Sequence, residues 1–169
     1  MPVRACTLAD MPAVQAIYAQ HVLHGTASFE LEPPSPAEMA ERFRHIAIDG
    51  HYPFLVAEDG ARVVGFAYAS EFRARPAYRF TCENSVYIAP HAQRRGIGSA
   101  LMRAVITQCG ALGLVEMLAV IGDAENHGSI GLHRSLGFVH VGTFRRVGYK
   151  FGRWLDVVLM QRTLRSGEA

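Results

Sequence analysis

Gln93-Arg94-Arg95-Gly96-Ile97-Gly98-Ser99 places two arginines and two glycines where an apolar-periodic segment begins. Ile97, Leu101, Val105, Cys109 and Leu112 recur in steps of three or four, which is helical spacing. A helix start offers backbone N–H groups without intrahelical partners and the positive end of the peptide dipoles, so it suits an anion. Glycine lets a ligand approach the backbone with no Cβ in the way. The chemistry suggested is a pyrophosphate cradle. The P-loop pattern needs four residues between its glycines and then Gly-Lys-Ser/Thr, a string this chain lacks. The dinucleotide fingerprint needs a third glycine, where Leu101 stands, and an acidic residue about twenty positions on, where the chain near Leu118 is apolar. On the short string alone, a helix start with incidental glycines is the alternative.

Other reactive side chains carry weaker signals. His21 and His24 lie one helical turn apart, but no third ligand of suitable spacing is nearby, so no metal is expected. Cys6, Cys82 and Cys109 have no CxxC spacing, and their odd number argues against a disulfide framework. The stretch from Glu71 to Arg79 is basic, aromatic and broken by Pro76, which fits either a solvated charge cluster or a functional loop.

Elements must hold these residues in place. Val3 to Thr7 reads as a first strand, and Asp10 and Pro12 open a helix carrying Val14, Ile17, Tyr18, His21 and Val22. Gly25 to Glu30 is loop-like, prolines 33, 34 and 36 forbid a regular element, and a second helix runs from about Pro36 to Ile48. Tyr52 to Glu58 and Arg62 to Ser70 are strands joined at Asp59-Gly60. Thr81 to Ile88 is a strand that leads into the cradle. Leu114 to Ile121 is nearly all apolar, as a strand buried on both faces would be. Asn126 to Leu136 is helical and closed by Gly137. Phe138 to Val147 and Trp154 to Gln161 are two last strands, with Gly148 and Gly152 between them. The order β-α-α-β-β-β-α-β-α-β-β fits an α/β fold with one mixed central sheet and helices on both faces.

The 169 residues make one domain, 1–169, half of it apolar. A net charge of +2, with arginines scattered, gives no support for a nucleic-acid partner or an anionic membrane. Lys150 is the only lysine, so arginine dominates and favours bidentate recognition of carboxylate or phosphate. No leader-like apolar run opens the chain and no stretch approaches a membrane span, so a cytoplasmic location is expected.

Two motifs then place the chain beside a known family. Gln93-Arg94-Arg95-Gly96-Ile97-Gly98 resembles the (Gln/Arg)-x-x-Gly-x-(Gly/Ala) motif of the GNAT N-acetyltransferases. Asn126, Gly137 and Phe138 match its second motif, with His133 standing where the family has tyrosine. Phe72 to Tyr78, Thr81 to Ile88, Ala119 to Gly122, Leu132-His133 and Gly148 to Asp156 are similar to the phosphinothricin / methionine sulfoximine acetyltransferase subfamily, with Cys82 and Asn84 as local variations.

The resemblance implies a GNAT fold whose splayed strands hold acetyl-CoA, and no metal. It implies that backbone groups of Val86, Tyr87 and Ile88 pair with pantetheine, that Arg94, Arg95, Gly96, Ile97, Gly98 and Ser99 take the pyrophosphate, and that Asn126 holds the pantetheine arm or the start of its own helix. The expected reaction is direct acetylation, in a ternary complex, of the α-amino group of a small amino-acid analogue such as phosphinothricin, methionine sulfoximine or methionine sulfone, with detoxification as one purpose. Glu83 is the expected base; the alternative is that it only bridges Arg73 or Arg79. His133 is the expected donor to the departing thiolate, or else a packed helix histidine. Arg73, Ala74 and Arg75, Glu83, Asn84 and Ser85, with Phe29, Tyr78 and Tyr149 as walls, would bind the substrate. A homodimer is implied, with the hairpin from Tyr149 to Trp154 near the partner. A protein or peptide N-acetyltransferase and a non-catalytic acyl-CoA sensor are the rival readings.

Overall fold

Alternating apolar residues assemble into one sheet that is intact at its ends and open near its middle. The computed structural model describes residues 2–165. The strands are β1 (Val3–Ala5), β2 (Phe54–Asp59), β3 (Arg62–Glu71), β4 (Thr81–Ile88), β5 (Glu116–Gly122), β6 (Val139–Lys150) and β7 (Arg153–Thr163). They lie in the order β1-β2-β3-β4-β5-β7-β6. Only β4 and β5 pair in parallel; the other neighbours are antiparallel. The helices are α1 (Met11–His24), α2 (Pro36–Phe43), α3 (Ile97–Ala111) and α4 (His127–Ser135). The element order is the expected one.

The period of two along β4 separates the faces. Tyr87 packs on Tyr18 of α1, ring centroids 5.0 Å apart. Its neighbour Ile88 faces the opposite side, where it meets Gly65 together with Leu101 of α3. One face is therefore packed by α1 and α2 over Phe54, Phe66, Tyr68 and Tyr87. The other carries α3 through Leu101, Met102, Val105 and Cys109, all fully buried.

Several boundaries differ from the expected ones. The second helix keeps α-geometry only to Phe43; Arg44–Asp49 widens into a π-turn in which no residue is buried. Beyond Met39 and Phe43 only Ile46 and Ala47 of this turn pack on the core, both half-buried. Leu112 leaves the apolar stripe and is 56 % exposed, because α3 has already closed at Ala111 ahead of Gly113, whose φ is +87°. β5 is not buried on both faces: Val120 is 41 % exposed. The reason is that its outer half loses its neighbour on the β4 side. The β2–β3 turn is Gly60-Ala61, one residue later than expected, with Asp59 paired to Arg62. The last hairpin is longer than expected, and Gly148 lies within β6 opposite Leu155. Its turn is Phe151-Gly152, both at positive φ, the geometry that matches strand twist. No helix is long and apolar enough to cross a membrane among the described residues.

Candidate active site

β4 and β5 hold register for three pairs only: Thr81 with Glu116, Cys82 with Met117 and Glu83 with Leu118. Beyond them the strands part. The Asn84 side chain sits at the fork, its Nδ2 donating to the Leu118 carbonyl at 2.9 Å. The gap opens into a cleft of ≈ 490 Å³ between Ser85 to Ile88 and Ala119 to Gly122. An extended ligand lying there meets strand edges in place of a missing strand.

The start of α3 forms the mouth of this cleft. Gly96 is the cap at φ +79°, and Arg94 also has positive φ. The first intrahelical bond runs from Ala100 N–H to Gly96 O at 3.1 Å, which leaves the N–H groups of Ile97, Gly98 and Ser99 without helix partners. The two glycines serve different ends. Gly96 supplies the left-handed cap, whereas a Cβ on Gly98 would stand 3.2 Å from Leu132, so Gly98 lets α3 approach α4. Arg94 lines the cleft; the Arg95 side chain turns away and pairs with Asp59 at 2.9 Å. Asn126 borders the cleft and caps α4, its Oδ1 accepting from Ser129 N–H at 3.2 Å. Tyr87 contributes backbone only, since its ring belongs to the α1 face. The Ile88 carbonyl is bonded to Nε2 of His21 at 2.9 Å. This contact spans 67 positions and has no signal in the sequence, which offers no metal site at His21.

Asn84 and His133 form a buried pair on the α4 side. His133 is 2 % exposed; its Nε2 lies 2.9 Å from Asn84 Oδ1, and its Nδ1 lies 2.8 Å from Ser129 O and 3.4 Å from Ser129 Oγ. Because Asn84 Nδ2 is committed to Leu118, Oδ1 must accept, so Nε2 of His133 carries a proton. The Ser129 carbonyl also can only accept, so its 2.8 Å contact calls for a proton on Nδ1, and the two contacts are met together only by the imidazolium. Burial pushes the His133 pKa down, and its bond to the Ser129 backbone, which favours the charged ring, opposes that push. Asn84 was expected to touch substrate, but both atoms of its amide are occupied within the protein.

Glu83 and Ser85 alternate to the face of α1. Glu83 is half-buried, and burial raises its pKa. It makes no ion pair among the described residues. Arg79 lies over Phe80 at 4.5 Å, and Arg73 lies over Phe72 and Tyr78 at 4.9 and 5.5 Å, so neither bridges it. The pairing of Glu71 with Cys82 brings the loop carrying Arg73, Ala74 and Arg75 to the Glu83 end of β4, with all three exposed. Above the same face, Glu30 is held by both guanidinium nitrogens of Arg42, at 2.6 and 2.9 Å, and by the Tyr18 hydroxyl. Arg42 is the main cause of the low Glu30 pKa, while burial first and Glu30 second push Tyr18 up to about 12. Phe29 stands over the C-terminal half of the sheet against Gly122 and Gly148. Tyr149 is not on this face of its own chain: it alternates with Gly148 and Lys150 and packs on Trp154 at the outer edge. Tyr18, Glu30, Arg42, Gly122 and Lys150 were absent from the expected site, because only the fold brings them together.

The model of the acetyltransferase (GNAT) family matches residues 20–138. A phosphinothricin N-acetyltransferase of Alcaligenes faecalis is 47% identical, over 97% of this chain and 85% of its own length. An L-methionine sulfoximine/L-methionine sulfone acetyltransferase of Pseudomonas aeruginosa is 40% identical, over 96% of this chain and 94% of its own. The crystal structure of a phosphinothricin acetyltransferase from Sinorhizobium meliloti, in complex with acetyl-CoA, superposes with a TM-score of 0.93 at 47% identity, covering 96% of this chain and 87% of that one.

Proposed function

This chain belongs to the GNAT acetyltransferase family, and from that premise we propose that it moves the acetyl group of acetyl-CoA directly to the α-amino group of a small amino-acid analogue such as phosphinothricin, methionine sulfoximine or methionine sulfone. The observation that carries this reading is the fork between β4 and β5, with an unbridged, half-buried carboxyl, Glu83, beside it on the open face.

The residues fit the cosubstrate. The unpaired N–H groups at the start of α3 and Arg94 suit its pyrophosphate, and the strand edges of β4 and β5 suit its pantetheine arm. The cosubstrate supplies an activated acetyl thioester. An ammonium has no lone pair, so the acceptor must lose a proton before it attacks. Glu83 takes that proton, directly or through water, and the upward pKa push from burial makes its carboxylate a stronger base. A backbone N–H near Ile88 holds the oxygen on which charge develops. The His133 imidazolium supplies the proton for the leaving sulfur: Nδ1 gives its proton to the Ser129 hydroxyl, which borders the cleft, as that hydroxyl gives its own to the thiolate, and the ring is left neutral. Arg73 and Arg75 clamp the acceptor's carboxylate or its tetrahedral head.

We further propose a homodimer built on β6. It is the last strand of the sheet, and Val139, Val141, Phe144 and Val147 on it are exposed. A long apolar edge is a template for association. Pairing there would set Tyr149 near the partner's acceptor pocket. Sedimentation equilibrium at micromolar concentration giving the 18.6 kDa monomer mass would rule the dimer out.

Thiol release from acetyl-CoA tests the reaction itself. The panel is phosphinothricin, methionine sulfoximine, methionine sulfone, free amino acids and a lysine peptide. Release with the analogues alone is the expected result. Release with the peptide alone would overturn the acceptor class, and bound acetyl-CoA with no release from any amine would favour a sensor.

A further inference from the structure

The loop that roofs the acceptor face is fastened to the opposite half of the sheet by a set of contacts that the proposed chemistry does not use. Gly122 ends β5 and Gly148 lies in β6, with β7 between them: Gly122 pairs with Val157 and Gly148 with Leu155. The ring of Phe29 spans the two glycines. A Cβ on Gly122 would stand 2.7 Å from its Cε1, and a Cβ on Gly148 would stand 2.8 Å from its Cδ2 and Cζ. Neither gap admits a methyl group without moving the ring. Neither glycine has a positive φ, so closeness rather than backbone conformation calls for glycine there.

Polar contacts fasten the same loop on both sides of the ring. Lys150, 3 % exposed and the only lysine in the chain, donates to the Ser28 carbonyl at 2.7 Å. Thr26 Oγ1 donates to Asp123 at 2.8 Å, and Arg153 donates to the same oxygen at 2.7 Å. Burial works to raise the Asp123 pKa, but bonds from the Glu125 N–H, Thr26 and Arg153 outweigh it and hold the carboxyl below its ordinary value. Ser28 in turn shares a 2.8 Å hydrogen bond with Tyr18. The loop thus joins α1 to the β6–β7 hairpin. Ala27 and Gly122 also border the cleft, so the height of the loop above the sheet sets the space between cleft and acceptor.

We propose that Gly122, Gly148 and Lys150 are positioning residues for the acceptor: they seat the Phe29 loop at the depth that fits a short amino-acid side chain. The inference rests on the acceptor site proposed above. It predicts a change in acceptor affinity with little change in the chemical step or in cosubstrate binding.

The test is a double-mutant cycle. Gly148→Ala forces the ring out of its seat, and overpacking of this kind should raise the acceptor KM about ten-fold, with kcat changed less than about three-fold and acetyl-CoA Kd less than about two-fold. In a Phe29→Ala background there is no ring to displace, and Gly148→Ala should change the acceptor KM by less than about two-fold. An unchanged KM in the first case, or equal effects in both backgrounds, overturns the proposal. If Gly148→Ala does not fold, Lys150→Met carries the test, because it keeps the stem and removes the bond to Ser28. A several-fold rise in acceptor KM is then expected, and no rise overturns it. If the wild-type protein turns over no acceptor at all, the proposed function fails and the seat is read without activity. Amide exchange across residues 26–30 should then quicken in Gly148→Ala but not further in the Phe29→Ala background; exchange unchanged by Gly148→Ala overturns the seat as well.

Discussion

The cleft proposed for the cosubstrate and the face proposed for the acceptor share β4 but draw on different parts of the chain. The cleft uses backbone: the N–H groups that open α3 and the parted edges of β4 and β5. Apart from His21 and Ala27, its pieces lie between Asn84 and Ser135. The acceptor face uses side chains, and its fastenings join Ser28 to Lys150 across 122 positions. On the proposed reading, a strand edge and a helix start meet groups that every acyl-CoA carries. Side chains on a loop discriminate among acceptors, and they can be exchanged without dismantling the sheet.

Substitutions that hit one region and spare the other sharpen this contrast. The largest effect is expected at Glu83, where the regions meet. Glu83→Gln should lower kcat about 10²-fold or more while acetyl-CoA Kd stays within about two-fold. With the carboxylate as base, kcat/KM in the wild type should fall as pH drops through a pKa that burial has raised above the ordinary glutamate value. A fall only at the ordinary value, or a Glu83→Gln enzyme of near wild-type rate, would remove Glu83 from the mechanism. The His133 role predicts an opposite limb. If its imidazolium is the donor, rate should decline as pH rises through a pKa that burial has pushed down, and a rate that only climbs with pH would leave His133 holding Asn84 and nothing more.

Gly96→Ala comes next. Alanine at φ +79° carries about 1–3 kcal/mol of strain, and acetyl-CoA titration should show binding weakened about ten-fold, with acceptor KM little altered. Arg73→Ala is the mirror case. Loss of a charge-assisted contact to the acceptor should raise its KM about ten-fold and leave acetyl-CoA Kd unchanged. Equal losses in both constants for either variant would break the division into two regions. The smallest effect is expected at Arg95→Ala. Its exposed pair with Asp59 contributes about 1 kcal/mol or less, and both constants should stay within about two-fold.

Much of the cleft was legible because it depends on local rules. Helical spacing from Ile97 with a glycine on either side of it announces a helix start with free N–H groups, and the structure places them at the mouth of the cleft. Asn126 and Gly137 announce the ends of α4 in the same way. The local rules failed where a residue's surroundings come from another element. Val120 belongs to an apolar run yet is partly exposed, because its strand has lost a neighbour. Arg95 stands in the cradle string, but an aspartate in the β2–β3 hairpin draws its side chain away. Asn84 follows Glu83 by one position, and strand alternation sends it to the opposite face, where the fork and His133 occupy it.

The sequence by itself determined the order of elements and the helix start with its free N–H groups, because each is written in spacing over a few adjacent residues, and its motifs carry the resemblance to the family. Tertiary structure alone decided where β4 and β5 part, which groups the two His133 nitrogens face, and which glycines admit Phe29. Those outcomes depend on distances between atoms far apart in the chain, and no local period or propensity encodes such a distance.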